Sequence, residues 1–525
     1  MQLRIKNYSR GRKFLLLLAA QALILALLLI FRTLTRQGGA MLFRFNMGLS
    51  IEDAVMLFNY ETAVLAAVSL VVFAAVCVLV CGRTPRYEWL FSFLALAFGL
   101  IYMFTVTPLS VPDESTHFLA ISELTNRLFG MRNTAVSFNG SGFANQDNVC
   151  SGYLALMHGL FGREEPQYVP SSIMSYMWTL TYSLEYAPQV LGFALAQLLS
   201  FNSLTMFMLG RLFNLLFFVL CLYLAVKRTP RFKLTLGLVA LMPMTMQQAA
   251  SLSYDSFINA LSLLLISALL RGIFGEGRLS ISDFAFIFIP ACLLAPAKGI
   301  YSLFILLFVF IPNERFSGRP GKWGSFALLA CACVLTFLLI SLPSILRIMN
   351  TTPPSFGSEG GEKYTLAYFF TNPQDAISIF VNSFNVYLGT WLTQAVGQSL
   401  STCCLELPTW IVPMFIVLAI LSALKLDDDS VCLPRGMRAV LIALSAAVIL
   451  AFMMTMFLTW IRGTDKIIVG VQGRYFIPIL PLLFIAVNNK TLVLKKNLDK
   501  GIALLSVLLS ARTILAILSY TMFRL

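Results

Sequence analysis

Long apolar segments separated by short polar ones recur along the whole chain. Each approaches the roughly 20 residues that a helix needs to cross a bilayer. The pattern predicts an all-α, polytopic helical bundle that forms one membrane domain over residues 1–525, with about thirteen crossings. The predicted spans are Phe14–Phe31, Thr62–Val80, Leu90–Val106, Leu204–Val226, Leu234–Ala250, Phe257–Leu270, Phe284–Ala295, Ile300–Ile311, Phe326–Ile345, Trp410–Leu424, Val440–Trp460, Tyr475–Val487 and Ile502–Met522.

Two apolar stretches need separate interpretation. The first, Phe14–Phe31, follows the basic segment MQLRIKNYSRGRK and resembles a signal peptide. It is longer than the usual apolar core of such a peptide, and no small-residue cleavage site follows, so we expect a retained first helix. The second, Tyr186 to Leu199, is short for a crossing and is predicted to lie along the membrane interface.

Composition and charge agree with a membrane protein. The chain is 58% hydrophobic and 12% charged, which is about half the charged fraction of a soluble domain. The net charge of +14 is explained by Lys and Arg in alternate loops, from Arg83 and Arg86 to Lys495 and Lys496, all of which fall inside if the N-terminus is cytoplasmic. No basic run is interleaved with aromatic residues in a polar segment, so we expect no nucleic-acid partner.

The orientation depends on one pair of short spans. Phe284–Ala295 and Ile300–Ile311 are each short for a crossing, and if they formed a single span the orientation of everything after them would be reversed. Pro296 and Lys298, which lie between them, favour a turn at the outer surface.

Two long loops fall on the non-cytoplasmic face. They run from Thr107 to about Ser203 and from Leu346 to about Pro408 (107–203 and 346–408), and neither has the apolar density of an independent domain. Aromatic stretches such as MSYMWTLTYSLEYAP suit interfacial helices that cap the bundle. No cysteine has metal-ligand spacing, and a disulfide from Cys150 to Cys403 or Cys404 stays open.

The stretch TPLSVPDESTHF places Asp113, Glu114 and His117 where the third span ends. Pro112 suits the first position of a helix and acids suit its first turn, so the pair is predicted at the exposed start of a helix, with His117 on the same face. The simpler interpretation is that the acids complement the helix dipole. Their position at the membrane boundary, beside the larger loop, favours a catalytic role.

Three further polar clusters fall on the same predicted side. A charged side chain within the bilayer costs roughly 2.5–3.5 kcal/mol, so such groups are usually paired or face a wet cavity. Arg474 and Tyr475 could also be interfacial anchors, and Arg211 either snorkels or points inward. The clusters are MPMTMQQAASLSYDSF with Tyr254 and Asp255, APAKGIY with Lys298 and Tyr301, and TDKIIVGVQGRYFIP with Gln472, Arg474 and Tyr475.

Acids and bases on one face suggest a division of labour. A carboxylate can take the proton of an attacking hydroxyl, while Arg and Lys hold a phosphate. This pattern fits group transfer from a phosphate-activated lipid. The sequence has no Walker loop, zinc motif, serine elbow or dinucleotide-binding glycine motif in its usual context, which argues against nucleotide-driven chemistry.

Four motifs resemble those of a bacterial polytopic membrane family of unknown function (domain of unknown function 2142), which is itself similar to glycosyltransferases of the GT-C fold. They are VPDESTHF at 111–118, SLSYDSF at 251–257, APAKGIY at 295–301 and GVQGRYFIPILP at 470–481. The resemblance implies a catalytic acid in the first large outer loop and a polyprenyl-phosphate-linked sugar donor. One departure is that two extra spans, Phe14–Phe31 and Thr62–Val80, precede that loop; their even number preserves orientation.

The resemblance implies a role for each matched residue. Asp113 corresponds to the catalytic base and Glu114 to its positioning or metal-binding neighbour. Arg474 is the first candidate for the donor phosphate and Lys298 the second, with Tyr475 beside them. His117 would orient the carboxylates or bind the leaving group, with interfacial packing as the alternative. The remaining polar residues of the clusters are expected to line the substrate pocket: Tyr254, Asp255, Gln472 and Tyr301.

The expected function is an inverting glycosyltransferase of the bacterial plasma membrane, with its active face outside the cell. It would transfer a sugar from a polyprenyl-phosphate donor to a cell-envelope polysaccharide or a lipid-linked acceptor. A divalent cation, Mg²⁺ or Mn²⁺, at Asp113 and Glu114 stays open, because one acid pair is a small ligand set. The alternatives are a flippase or exporter of lipid-linked saccharides, against which the absence of an evident inverted repeat argues, and a polymerase of them.

Overall fold

The computed structural model describes residues 10–82, 85–138, 149–163, 166–176, 183–318, 320–343, 346, 364–401, 405–427 and 432–523. Nearly all regular structure in them is helical, which confirms the predicted all-α fold. The helices are α1 (Arg10–Met47), α2 (Ile51–Cys81), α3 (Tyr87–Thr105), α4 (Glu114–Leu128), α5 (Val149–Gly159), α6 (Ile173–Tyr176), α7 (Ala187–Leu198), α8 (Ser203–Arg228), α9 (Lys233–Leu241), α10 (Pro243–Ala249), α11 (Asp255–Phe274), α12 (Ile281–Ala297), α13 (Gly321–Ile340), α14 (Leu366–Thr371), α15 (Pro373–Val396), α16 (Ile411–Ala423), α17 (Arg435–Thr459), α18 (Leu480–Ala486) and α19 (Asp499–Phe523).

Short 3₁₀ helices and strands complete the described structure. The 3₁₀ helices are η1 (Gly299–Phe310), η2 (Asn313–Arg315) and η3 (Gly473–Ile479). The strands form antiparallel pairs β1–β2 (Thr134–Val136 with Tyr168–Pro170) and β3–β4 (Ser399–Leu400 with Leu405–Glu406), and a parallel pair β5–β6 (Lys425–Leu426 with Val493–Leu494).

Eight of the described helices are long and apolar enough to cross a membrane. They are α1, α2, α3, α8, α11, α13, α17 and α19. The other predicted spans correspond to shorter elements, namely α9 with α10, α12, η1, α16, and η3 with α18. The chain is thus a polytopic membrane protein in which several of the predicted spans are short or broken helices.

The two short spans on which the orientation depended form a hairpin. Asp283 at the start of α12 accepts a hydrogen bond from Arg228 at 3.1 Å, and Arg315 just after η1 donates to the Arg271 carbonyl at 3.2 Å. Both contacts lie at the same end of the bundle, so the segment goes across and returns, with Lys298 at the far tip. A 17-residue α-helix rises about 25 Å, and a 12-residue 3₁₀ helix rises about 24 Å.

The two long loops meet at one end of the bundle, and the start of α19 meets the end of α2 at the other. At one end, Ser401 of the second long loop donates to the Ser110 carbonyl of the first at 2.6 Å. At the other end, Lys500 donates to the Gly82 carbonyl at 3.1 Å. The side chain of Cys150, together with Cys403, Cys404 and part of the aromatic stretch 174–188, lies outside the described residues.

A buried ion pair fixes α4 to the bundle. Arg211 of α8 is fully buried, and its Nε and Nη2 donate to the two carboxylate oxygens of Glu114 at 2.9 and 2.7 Å. Its remaining donors reach the carbonyls at the end of α3, those of Met103, Val106 and Thr107. The expectation that Glu114 is exposed is therefore wrong, and Arg211 is the inward contact rather than a snorkelling residue.

We predict that Arg211→Met destabilises the protein by roughly 3–5 kcal/mol, because it leaves the buried Glu114 carboxylate without its charge partner. Reversible unfolding in mixed micelles with increasing SDS measures this. The surface pair of Lys466 and Asp375, 3.2 Å apart, supplies the control: Lys466→Met should change stability by less than about 1 kcal/mol.

The double variant Arg211→Met with Glu114→Met removes both charges. It should recover some of the lost stability, because no unpaired charge remains. The recovery should be incomplete, because the α3 carbonyls and the Leu252 amide still lose their partners. If Arg211→Met unfolds at the wild-type SDS fraction, the pair does not hold α4 in place.

Candidate active site

The two adjacent acids of the first loop point in different directions. Asp113 caps α4 in the left-handed backbone region, with φ of 63°, which Asp tolerates better than most residues. This conformation turns Glu114 into the bundle, where it also accepts a hydrogen bond from the Leu252 amide at 3.1 Å. The Asp113 side chain stays 57% exposed. Asp113 is thus the acid that solvent can reach.

Arg474 joins Asp113 to a second acid. Its side chain is 5% exposed, its Nη2 donates to Asp113 Oδ2 at 2.5 Å, and its Nη1 lies 3.4 Å from the Pro112 carbonyl. Its Nε is 3.5 Å from Asp255 Oδ2. Gly473 makes this placement possible, because a Cβ there would lie 2.6 Å from the Trp391 carbonyl of α15.

Lys298 completes a chain of alternating charges. From the tip of the α12–η1 hairpin, its Nζ donates to Asp255 Oδ1 at 2.6 Å. It also lies 4.6 Å from the ring centre of Tyr475 and 5.0 Å from that of Tyr254, within cation–π range. The order Asp113, Arg474, Asp255, Lys298, here called the charge chain, gives two acids and two bases with no net charge.

An irregular backbone segment positions Asp255 between Arg474 and Lys298. Helices α10 and α11 are separated by residues 250–254, which are almost entirely buried. Asn214 of α8 donates to the carbonyls of Ser251 at 2.7 Å and Ser253 at 3.2 Å. Because these side-chain contacts satisfy its backbone, the segment can remain non-helical within the bundle.

His117 lies behind the charge chain, against aromatic side chains. Its Nδ1 is 2.5 Å from the Tyr186 hydroxyl, and its ring meets that of Tyr254 edge-on at 5.3 Å. Burial, with Arg474 the next cause, lowers the pKa of His117 to about 4, so the ring is neutral near pH 7. Its Nε2 is buried and has no hydrogen-bond partner among the described residues.

A cavity of about 410 Å³ adjoins Lys298. Its polar wall is formed by Glu185, Tyr254, Lys298 and Tyr475, and its apolar wall by residues of η1 and α17 such as Ile300, Phe452 and Met456. Thr455, which also lines it, is exposed on the outer surface of α17. One side of the cavity therefore reaches the outer surface of the bundle at α17.

The other predicted pocket residues have different surroundings. Tyr301 is buried and its hydroxyl donates to the Tyr475 carbonyl at 2.5 Å, so it positions the backbone next to Arg474. Gln472 precedes Gly473 and is partly exposed. Neither lines the cavity.

Asp113 and Glu114 do not form a shared binding site for a divalent cation. Both oxygens of Glu114 accept from Arg211, so the carboxylate does not face a shared site with Asp113. Among the residues that the structure describes, no three His, Cys, Asp or Glu side chains come close enough to hold a metal ion.

Glu185 is the ionisable residue of the cavity wall that the sequence did not reveal. It stands in SLEYAP, within an aromatic stretch that suits an interfacial helix, where one acid attracts no notice. The available signal was a single carboxylate among aromatic residues close to the membrane boundary.

Comparison with known proteins gives a family but no activity. Residues 169–483 match the family described as predicted membrane protein (DUF2142), a range that includes Glu185, Asp255, Lys298 and Arg474 but not Asp113. No curated protein and no solved structure matches the chain. Because the match covers more than half of the sequence, this chain belongs to the DUF2142 family of predicted membrane proteins.

Proposed function

We propose that this protein is a membrane glycosyltransferase that moves a sugar from a polyprenyl-phosphate donor to a cell-surface glycan or a lipid-linked acceptor. The observation that carries the proposal is the charge chain, which links an exposed carboxylate to a cation at a laterally open cavity. Lys298 contributes the cation and Asp113 the carboxylate, and only Arg474 and Asp255 lie between them.

The donor would enter through the side of the bundle. Its isoprenoid chain stays in lipid and against the apolar wall of the cavity, while its phosphate meets Lys298. An ammonium group in a half-enclosed site attracts a phosphate more strongly than one in bulk water, because screening there is weaker. The phosphate would share Lys298 with Asp255, and Arg474, whose Nε is 3.5 Å from Asp255 Oδ2, would contribute a second cation.

The transfer step balances with the groups present. The acceptor hydroxyl attacks the anomeric carbon, the bond from that carbon to the phosphate oxygen breaks, and polyprenyl phosphate leaves with the electron pair. The hydroxyl proton passes to the Asp113 carboxylate. Arg474 and Lys298 stabilise the charge that develops on the leaving phosphate. Attack opposite the leaving group inverts the anomeric configuration.

The active end is proposed to face away from the cytoplasm. Arg228 and Lys500, which belong to two of the basic clusters, contact Asp283 and the Gly82 carbonyl at the opposite end of the bundle. Basic loops are retained on the cytoplasmic side in bacterial membranes. This orientation suits a glycan acceptor of the cell envelope.

We predict that Asp113→Asn lowers sugar transfer by at least about 100-fold, because an amide cannot accept the acceptor proton. Release of polyprenyl phosphate from a panel of labelled lipid-linked sugars, in detergent, measures this. The midpoint of thermal unfolding should stay close to that of the wild type, since Asp113 is mostly exposed.

Asp375→Asn is the matched control, because Asp375 is also a carboxylate paired with a base, Lys466, outside the charge chain. It should transfer sugar at the wild-type rate. Full activity of Asp113→Asn contradicts the role given to Asp113. If the wild type consumes no lipid-linked sugar in detergent, a flippase becomes the better interpretation.

We also predict that Ala451→Trp weakens the binding of polyprenyl phosphate by at least about ten-fold, because an indole fills the lateral opening of the cavity. Ala451 lines the cavity, whereas its neighbour Leu450 is 47% exposed on the same helix and does not. Leu450→Trp is therefore the control and should bind like the wild type. Equal weakening by both variants would argue against a lateral entry at this place.

A further inference from the structure

Glu185 is a buried acid that the transfer step does not use. It is 1% exposed and lines the cavity together with Lys298. Its Oε2 is buried and has no hydrogen-bond partner among the described residues. A carboxyl group in this situation destabilises the fold, since it loses its hydration without gaining a protein partner. An apolar side chain of similar size would fit the same place at lower cost.

The surroundings favour the neutral form of this group. Burial raises the pKa of Glu185 well above its usual range; Lys298 opposes this increase and Asp255 adds to it. The other polar side chains of the wall are the phenols of Tyr254 and Tyr475 and the hydroxyl of Thr455, and the neutral His117 ring lies behind Tyr254. A protonated carboxyl both donates and accepts hydrogen bonds. It also does not repel a phosphate held by Lys298.

We propose that Glu185 hydrogen-bonds a hydroxyl group of the sugar attached to the lipid phosphate, and thereby selects the sugar that the protein accepts. This inference rests on the proposed function. A hydroxyl also donates and accepts, so it matches a neutral carboxyl in both directions. With Lys298 on the phosphate and Glu185 on the sugar, the two groups hold the donor on both sides of the bond that breaks.

The physical basis of selection is the unpaired oxygen. A sugar that offers a hydroxyl to the Glu185 carboxyl satisfies this group, whereas a lipid phosphate without that hydroxyl leaves it buried and unpaired. Sites built in this way discriminate strongly, because the wrong ligand carries the full penalty of the unpaired group. Aromatic walls alone discriminate far less between sugars of the same size.

Equilibrium binding in detergent tests the inference. The ligands are polyprenyl phosphate without a sugar and the same lipid with glucose, mannose or N-acetylglucosamine. The wild type should bind at least one sugar-bearing lipid about ten-fold or more tighter than the bare lipid phosphate. Glu185→Leu should lose this gain but keep the Kd for the bare lipid, and its thermal unfolding midpoint should rise. Glu276→Leu, a change at an exposed glutamate outside the cavity, should change neither.

Glu185→Gln separates binding from proton transfer. The amide can donate and accept, so this variant should keep most of the gain in affinity and most of the turnover. Loss of turnover to the level of Asp113→Asn would make Glu185 a proton acceptor and overturn the role proposed here. The inference also fails if Glu185→Leu keeps the gain, or if no sugar of the panel binds tighter than the bare lipid.

A different binding result would contradict the proposed function itself. In that case the wild type does not bind the bare polyprenyl phosphate, or Lys298→Met binds it with the wild-type Kd. If the bare lipid binds through Lys298 while the sugar adds nothing, the Glu185 inference alone is wrong.

Discussion

A charge inside a membrane protein needs a partner, and in this protein the pairing of Arg211 with Glu114 sets the position of everything around the site. One guanidinium joins α8, the end of α3 and the start of α4 through five hydrogen bonds. The Glu114 carboxylate also holds the irregular segment before α11 through the Leu252 amide. Because Glu114 must point inward, Asp113 takes the left-handed conformation that turns its own carboxylate to Arg474. The buried pair thus fixes the direction of the exposed acid.

The same requirement for pairing governs the charge chain. Each cation of the charge chain has an acid within 4 Å, so the formal charges of the site balance. Under the proposed function, an incoming phosphate would share a cation with Asp255 without creating an isolated charge, because the acids stay next to Arg474 and Lys298. A site with the cations alone would bind phosphate more tightly, but it would also bury uncompensated charge in the absence of ligand. An alternating order allows binding and release of an anion at modest energetic cost.

The sequence predicts the fold better than the site. Apolar length and loop charge predicted the spanning helices and the hairpin around Lys298, since both follow from the thickness of the bilayer. The contact of Asp113 with Arg474, 361 positions apart, was predicted only as a shared chamber. Helix-start preferences placed Asp113 and Glu114 together on one exposed turn, and this was wrong for Glu114, because its tertiary contact with Arg211 draws it into the bundle. Glu185 was missed because its importance comes from the cavity, whose walls belong to distant segments.

Broken and short helices explain how polar side chains can lie inside this bundle. A continuous helix satisfies its own backbone and presents side chains on its outside, whereas a break exposes backbone groups that something else must bind. Between α10 and α11, Asn214 and Glu114 form hydrogen bonds with those backbone groups. Tyr254 can therefore line the cavity, and Asp255 can bind Lys298 next to it. The α12–η1 turn places Lys298 within hydrogen-bond distance of Asp255. The cavity is therefore formed where helices end, between the start of η1 and α17.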